Sequence, residues 1–444
     1  MKGFVKGCAA ALGLALGMLG VAGSGQARAA DQPEITMAIS QSPWLDAFVA
    51  MVDRYEQETG NLVRLDVSPF GGLLERIRNS VRGPSGDYDL VTINSLWLAE
   101  IYAGGFLAPL DAVRPGYRLQ PGVLDYGGTT GWDDGLGSFS ATGRLMGVPV
   151  NGNLQVLYYN QDVYDSLGLS VPRSWAELLA NARRIRAETD LYGFVPRAAR
   201  DSIVYNFTPW LFSHDGAFLH VTGPKKAEVV LNSPEGLAAL ESYLSLAAPD
   251  VAPPNPGAIA QGELIQLLAA GRAAQAVAVI AAWGTLEDPD QSRVVGRISA
   301  ALLPAGPDGT IASSAGHWVA GIPANVAPDH QKAALAFLDW FQQPEVQAAY
   351  VEAGGVPVRG DLGKGRLADD RAYRFLDAYA QNAAHAVMGL PFAGAAEASD
   401  AMALHLNRAV IGEMTPRAAL NAAAGDLAAI LTRQGYQVTR LPDL

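Results

Sequence analysis

Between Ile35 and Ala103 the chain alternates short apolar runs with amphipathic stretches, and this rhythm restricts the fold more than any other feature. Ile35 to Ser40 reads as a strand, and Ser42-Pro43 then supplies preferred cap and first-turn residues for a helix. Trp44, Phe48, Val52 and Tyr55 share one face of that helix, and Gly60 is placed to end it. Val63, Leu65 and Val67 alternate with Arg64 and Asp66, the pattern of a half-buried strand. A short helix around Leu73–Val81, a largely buried strand at Asp89–Asn94 and a helix near Leu96–Ala103 complete the series. Such βαβα order predicts an α/β fold with a mainly parallel sheet flanked by helices. Ligands in these folds sit at the carboxyl ends of strands, where the strand order switches. Gln41, Trp44, Phe70 and Asn94 are therefore the first candidates for ligand contact.

The middle of the chain continues in the same style. Val148–Tyr159 is a long extended stretch, and Ser174 with Glu177 three residues on makes a capping box for a helix reaching about Thr189. Ser233-Pro234 opens another helix, and Leu335, Leu338 and Phe341 line the inner face of a further one. The proline-rich loop Pro249–Pro256 is short, and neither an internal repeat nor a low-complexity tail interrupts the chain. Two α/β lobes joined by strands fit this better than domains on a flexible linker.

The first thirty residues set the compartment. Lys2 and Lys6 precede an apolar stretch from Ala9 to Ala22, and Ala27-Arg28-Ala29-Ala30 closes it with small residues, the order of a cleaved secretory signal peptide. The apolar core is short of the roughly 20 residues that span a bilayer. Cys8, the only cysteine, falls inside this leader, so the mature chain has no disulfide, thiolate nucleophile or cysteine metal ligand. What remains after removal of residues 1–30 is about 414 residues, enough for two or three domains. It carries 29 basic against 44 acidic side chains, a net charge of about −15. That balance argues against nucleic acid, whose phosphates need lysine and arginine, and against an anionic membrane surface.

Catalytic and cofactor motifs are missing. There is no phosphate-binding glycine loop followed by lysine, no paired-histidine zinc motif and no serine nucleophile elbow, and no cofactor or metal is expected. Asp288-Pro289-Asp290 begins like a calcium loop but has Arg293 where the turn glycine belongs and Ser299 where the bidentate glutamate belongs. Two carboxylates from distant segments would suffice for a glycosidase, and sequence spacing does not reveal them. Tryptophans are more telling. Trp175 and Trp340 read as helix packing residues, whereas a tryptophan where a strand gives way to a loop can stack on a sugar face while nearby amides take the hydroxyls. Trp283 follows the apolar run Ala276–Ala282 and precedes Gly284-Thr285, and is the leading stacking platform. Trp210, Trp318, Asn153 and Arg359 are further choices for the same cleft, Arg359 being equally suited to anchor a helix end.

An ordered set of segments carries a family resemblance. Gly147-Val148-Pro149-Val150-Asn151-Gly152-Asn153-Leu154-Gln155-Val156-Leu157-Tyr158-Tyr159-Asn160 resembles the hinge-crossing strand of family 1 extracellular solute-binding proteins, the maltose-binding type. Val171-Pro172-Arg173-Ser174-Trp175-Ala176-Glu177-Leu178 is similar to that family's helix start. Gly271, Trp283, Leu303-Pro304, Gly309, Gly316-His317-Trp318-Val319-Ala320-Gly321-Ile322, Glu345-Val346-Gln347 and Gly354-Gly355-Val356-Pro357-Val358-Arg359 follow in the family's order. Gly316-His317-Trp318 departs from the commoner double glycine, and the stretch before Trp283 lacks the usual methionine, so His317 and Trp318 join the ligand candidates of an unusual cleft.

The resemblance implies a type II-like periplasmic binding protein fold: two α/β lobes, a three-crossing hinge and a ligand cleft between them. Lobe one would hold residues 31–150 plus 300–345, lobe two 151–299 plus 346–444. The implied function is capture of a sugar or polyol in the periplasm and delivery to inner-membrane ABC permease subunits, with a cytoplasmic ATPase behind them. Another small polar solute remains open, such as a polyamine, a phosphorylated compound or a metal. So, more distantly, does an extracellular carbohydrate-active enzyme. Adjacent tyrosines can ligate ferric iron in related binders, but Tyr158 and Tyr159 alternate faces on a strand.

Overall fold

A computed structural model describes residues 31–444, so the expected signal peptide at residues 1–30, with Cys8, lies outside the described residues. The sheet of the first lobe grows from the alternation at its start. Strand β1 (Ile35–Ser40) runs parallel to both β2 (Val63–Ser68) and β3 (Leu90–Asn94). Two later segments extend the sheet beyond β3: first Trp318–Gly321, antiparallel to it, and then Val148–Asn151. The sheet is therefore mixed rather than mainly parallel, because the chain returns from the other lobe to insert a strand in the opposite sense.

Helix α1 (Leu45–Thr59) turns Phe48, Val52 and Tyr55 inward and ends on Gly60 at φ 75°, a left-handed conformation that glycine adopts without strain. It begins later than Ser42-Pro43 suggests. Ser42 makes a turn to the Leu45 amide instead of capping, since the Trp44 indole is pulled into the core against Phe48 and Trp318. At the sheet edge, Val67 is 42% exposed, so the alternation in β2 fails at its end. Helices α2 (Phe70–Arg82) and Pro328–Phe341 complete the first core, where Phe48 meets both Phe337 and Phe341.

In the second lobe Gln155–Asn160 lies between Gln275–Val279 and Ile298–Ala301, antiparallel to both. Helices Ile203–Ser213, Pro234–Ser245, Ala395–Val410 and Pro416–Arg433 bury Phe207, Trp210, Leu240, Met402 and Leu427 in a separate core. Ser174 and Ser233 both cap as the sequence predicts, accepting from the Glu177 and Gly236 amides. The Glu177 carboxylate, however, takes the Arg173 amide rather than that of Ser174.

Three crossings connect the lobes side by side. The first is Gly152–Leu154, between a strand of each sheet. Here the Gly316 amide donates to the Asn153 carbonyl, so the second crossing, from Ile298–Ala301 to Trp318–Gly321, runs beside it. The third leads from helix Pro344–Glu352 through Pro357 to helix Phe375–Ala383, and the Gly152 amide reaches the Val356 carbonyl. A Cβ on Gly152 would stand 2.0 Å from the Pro357 carbonyl oxygen, which is why glycine occupies this junction. Helix Pro344–Glu352 straddles the two bodies. Val346 and Tyr350 enter the first core, while Ala348 and Val351 pack with Leu154, Tyr158 and Trp283.

Candidate functional site

The crossings close one end of a cavity of about 450 Å³ between the lobes. The wall from the first lobe is built by strand register. Trp318 pairs with Asn94 on one side and with Asn151 on the other, so the ends of three strands come level. Asn94 ends β3 and accepts the Leu96 amide at 3.1 Å, turning the chain into a short 3₁₀ helix whose Leu96 also faces the cavity. Phe70 opens α2; its ring is 48% exposed, lies 4.6 Å from Trp97 and meets Trp318 edge-on at 5.9 Å. Trp97 and Trp44 support Trp318 from behind, at 5.6 and 5.9 Å.

Asn153 stands at the hinge, held by its side chain, which accepts the Ala281 amide. Gly316 lies beside it beneath Tyr205, where a Cβ would meet the tyrosine hydroxyl at 2.5 Å. The facing wall from the second lobe runs from Arg197 through Arg200, Asp201 and Ser202 to Tyr205, with Met388–Leu390 alongside. Tyr205 donates to the Ser314 carbonyl at 3.1 Å, tying this wall to the second crossing. The site thus sets an aromatic surface against a polar one, an arrangement able to hold a small solute by stacking and hydrogen bonds.

Of the residues singled out from sequence, Phe70, Asn94, Asn153 and Trp318 meet in this lining. Gln41 is exposed at the end of β1, outside the lining, and Trp44 supports Trp318 without reaching the cavity. Trp283, the leading platform expected from sequence, lies in the core outside this lining. It is 7% exposed, donates Nε1–H to the Ala372 carbonyl at 2.9 Å, and is covered by the Arg374 guanidinium 4.4 Å above its ring. Local structure explains this: the strand ends at Val279, before the apolar run does, and Trp283 begins a short helix whose inner face it occupies. Trp210 is fully buried and stacks on Trp175 at 4.0 Å, because its helix turns that face toward the second core.

His317 points behind the cavity wall. Its ring stacks on Tyr126 at 4.6 Å and shares a 2.7 Å hydrogen bond with Thr129, and burial lowers its pKa to about 3. Arg359 anchors loops: it pairs with Asp361 and donates to the Gln342 and Pro121 carbonyls. Tyr158 and Tyr159 do not converge, the first bonding the Val279 and Ile280 carbonyls and the second packing on Tyr164. The second-lobe wall was missed from sequence. Its one visible signal was a pair of arginines, Arg197 and Arg200, in the turn before an apolar helix.

Comparison with known proteins matches residues 40–348 to the family described as bacterial extracellular solute-binding protein. A binding protein of Brucella abortus is 23% identical over 301 residues, 64% of this chain and 66% of the relative. The chain thus spans just under two thirds of the length of that curated relative. Among solved structures, a maltose-bound T. maritima protein superposes with a TM-score of 0.73 at 24% identity, over 89% of this chain and 98% of that one. An ABC transporter solute-binding protein of Agrobacterium radiobacter, in complex with ribitol, gives 0.71 at 23% identity, over 89% and 98%. At such identities the likeness is one of fold: the two-lobed binding-protein architecture.

Proposed function

Since the chain belongs to the bacterial extracellular solute-binding protein family, we propose that it captures a sugar or polyol in the periplasm and presents it to the permease of an ABC importer. The observation that carries this is the cavity itself, where Phe70 and Trp318 oppose Asn153, Ser202 and Tyr205 across the gap between lobes. A sugar ring offers an apolar face to such aromatics and hydroxyls to the polar side. The maltose and ribitol held by the two structural neighbours support the same class of solute. Closure follows from linkage: a solute that touches both walls binds the closed form better and shifts the lobes toward it. The permease then selects the closed, loaded form.

Binding without turnover is the better fit to the lining. Asp201 is its one carboxylate among the described residues, whereas glycoside hydrolysis ordinarily needs a pair. Among the described residues no helix is long and apolar enough to cross a membrane. The test combines a thermal-shift screen of sugars and polyols with small-angle scattering on the best hit. A solute at 100 times its dissociation constant should add about 2.7 kcal/mol of stability, and the radius of gyration should fall on binding. Sustained product release from a bound oligosaccharide, or an unchanged radius with binding verified, overturns the proposal.

A further inference from the structure

The arginines of this protein divide into two kinds. Arg359 and Arg374 are largely enclosed and fully engaged, the first with Asp361 and two carbonyls, the second with Glu287 and the Ile298 carbonyl. Arg197, in the cavity wall, has neither kind of partner. Its guanidinium makes no ion pair and donates no hydrogen bond among the described residues, and its Nε is wholly enclosed. The backbone around it is well tied, with its amide on Asn206 and its carbonyl receiving the Tyr243 hydroxyl. The side chain lies over the Tyr205 ring at 5.4 Å, so it is positioned rather than loose.

No carboxylate touches it, although Asp201 attracts it from a distance. Asp201 is exposed, and its carboxylate takes the Ser202 hydroxyl at 2.6 Å. Arg200, also in the lining, is paired with Asp400 at the surface. Helix Ile203–Ser213 starts at the same wall, and its Val204 and Tyr205 amides carry no hydrogen bond among the described residues. Helix N-termini favour negative charge. With Arg200 paired to Asp400, Arg197 is the arginine of this wall that lacks a contacting carboxylate, in a chain whose formal net charge is −12. Arg197 is half-buried, and a guanidinium drawn partly out of water with no carboxylate in contact is costly to leave unpaired. Burial lowers its pKa from the ordinary arginine value, in keeping with that cost. A hydroxyl restores one hydrogen bond, whereas a carboxylate or phosphoryl group restores both charge and the forked pair of bonds that arginine offers.

We infer that the solute is acidic: a sugar or polyol bearing a carboxylate or phosphoryl group, which seats on Arg197 while its apolar face lies toward Phe70 and Trp318. This rests on the solute-binding function proposed above and narrows its ligand class. Titration calorimetry on the intact protein tests it with matched probes: galacturonate against galactose, glucuronate against glucose, and glycerol 3-phosphate against glycerol. The charged member of at least one pair should bind about tenfold or more tighter than its neutral counterpart, and the pair that responds distinguishes carboxylate from phosphoryl. Arg197→Gln should weaken that charged ligand about 30-fold or more, the usual loss when one partner of an enclosed charge pair is removed. Should this variant fold poorly, the wild-type comparison decides alone. Neutral members that bind as tightly as their charged partners in every pair sink the inference and leave the sugar-binding proposal standing. A charge preference that survives in Arg197→Gln refutes the role of Arg197. A panel in which no member binds counts against both proposals.

Discussion

Acidification should cost this protein stability through one side chain, and the size of the loss can be worked out. His317 is fully buried, with one ring nitrogen bonded to Thr129, the other unpartnered, and Tyr126 stacked on its face. Burial holds its pKa at about 3, against the ordinary 6.5 of a solvated histidine. The folded value is the lower one, so the unfolded chain takes up the proton first. Stability is therefore complete above about pH 6.5 and drains away as pH falls toward about 3, by at most about 1.4 kcal/mol per pH unit. Moving from about pH 7.5 to about pH 5 should remove roughly 2 kcal/mol, because at pH 5 only the unfolded histidine is charged. Urea denaturation at both pH values, on the wild type and on His317→Gln, isolates this contribution. Glutamine does not titrate, so the variant keeps every other pH effect and loses this one. The wild type should thus show about 2 kcal/mol more acid sensitivity than the variant. Parallel pH profiles would mean that His317 is not buried in its neutral form, and the placement behind the cavity wall would fall with it.

Two further substitutions separate core from cavity. Trp283→Ala should lower the stability of the unliganded protein by about 3–5 kcal/mol while the folded fraction binds solute normally, as denaturation and calorimetry together would report; lost affinity with unchanged stability would return Trp283 to the site. Phe70→Ala should do the reverse, costing on the order of 2 kcal/mol of solute affinity with little change in the unliganded melting temperature.

How much of this was legible in the sequence depended on whether local pattern or distant packing decided each position. The first βαβα series could be read because period and punctuation agree there: apolar positions set β1 and the inner face of α1, and Gly60 stops the helix where φ must be positive. Asn94 and Asn153 followed from the rule that chemistry gathers at strand ends and hinges. Ranking Trp283 above Trp318 did not, because a strand-to-loop position does not say which way an indole turns. Trp318 faces the cavity since its strand returns antiparallel beside β3, a pairing between residues more than two hundred positions apart. Trp283 faces inward because Arg374 and Phe375, from a helix almost a hundred residues later, cover it. Arg197 escaped notice for a similar reason: an arginine in a turn is ordinarily solvated, and only the fold sets this one, half-buried, in a cavity wall.

The junction at Gly152 has a consequence for any solute held between the lobes. The three crossings run side by side with no room there for even a methyl group, so a swing about that line, rather than a slide, is the motion expected of the two halves. In a swing, points near the pivot travel little and points at the far rim travel most. A solute seated beside Asn153 would be gripped at nearly any angle, whereas one reaching farther from the hinge would wedge the jaws at an angle set by its length. In the proposed role, a permease reading only the outer faces would then receive ligand size as an angle.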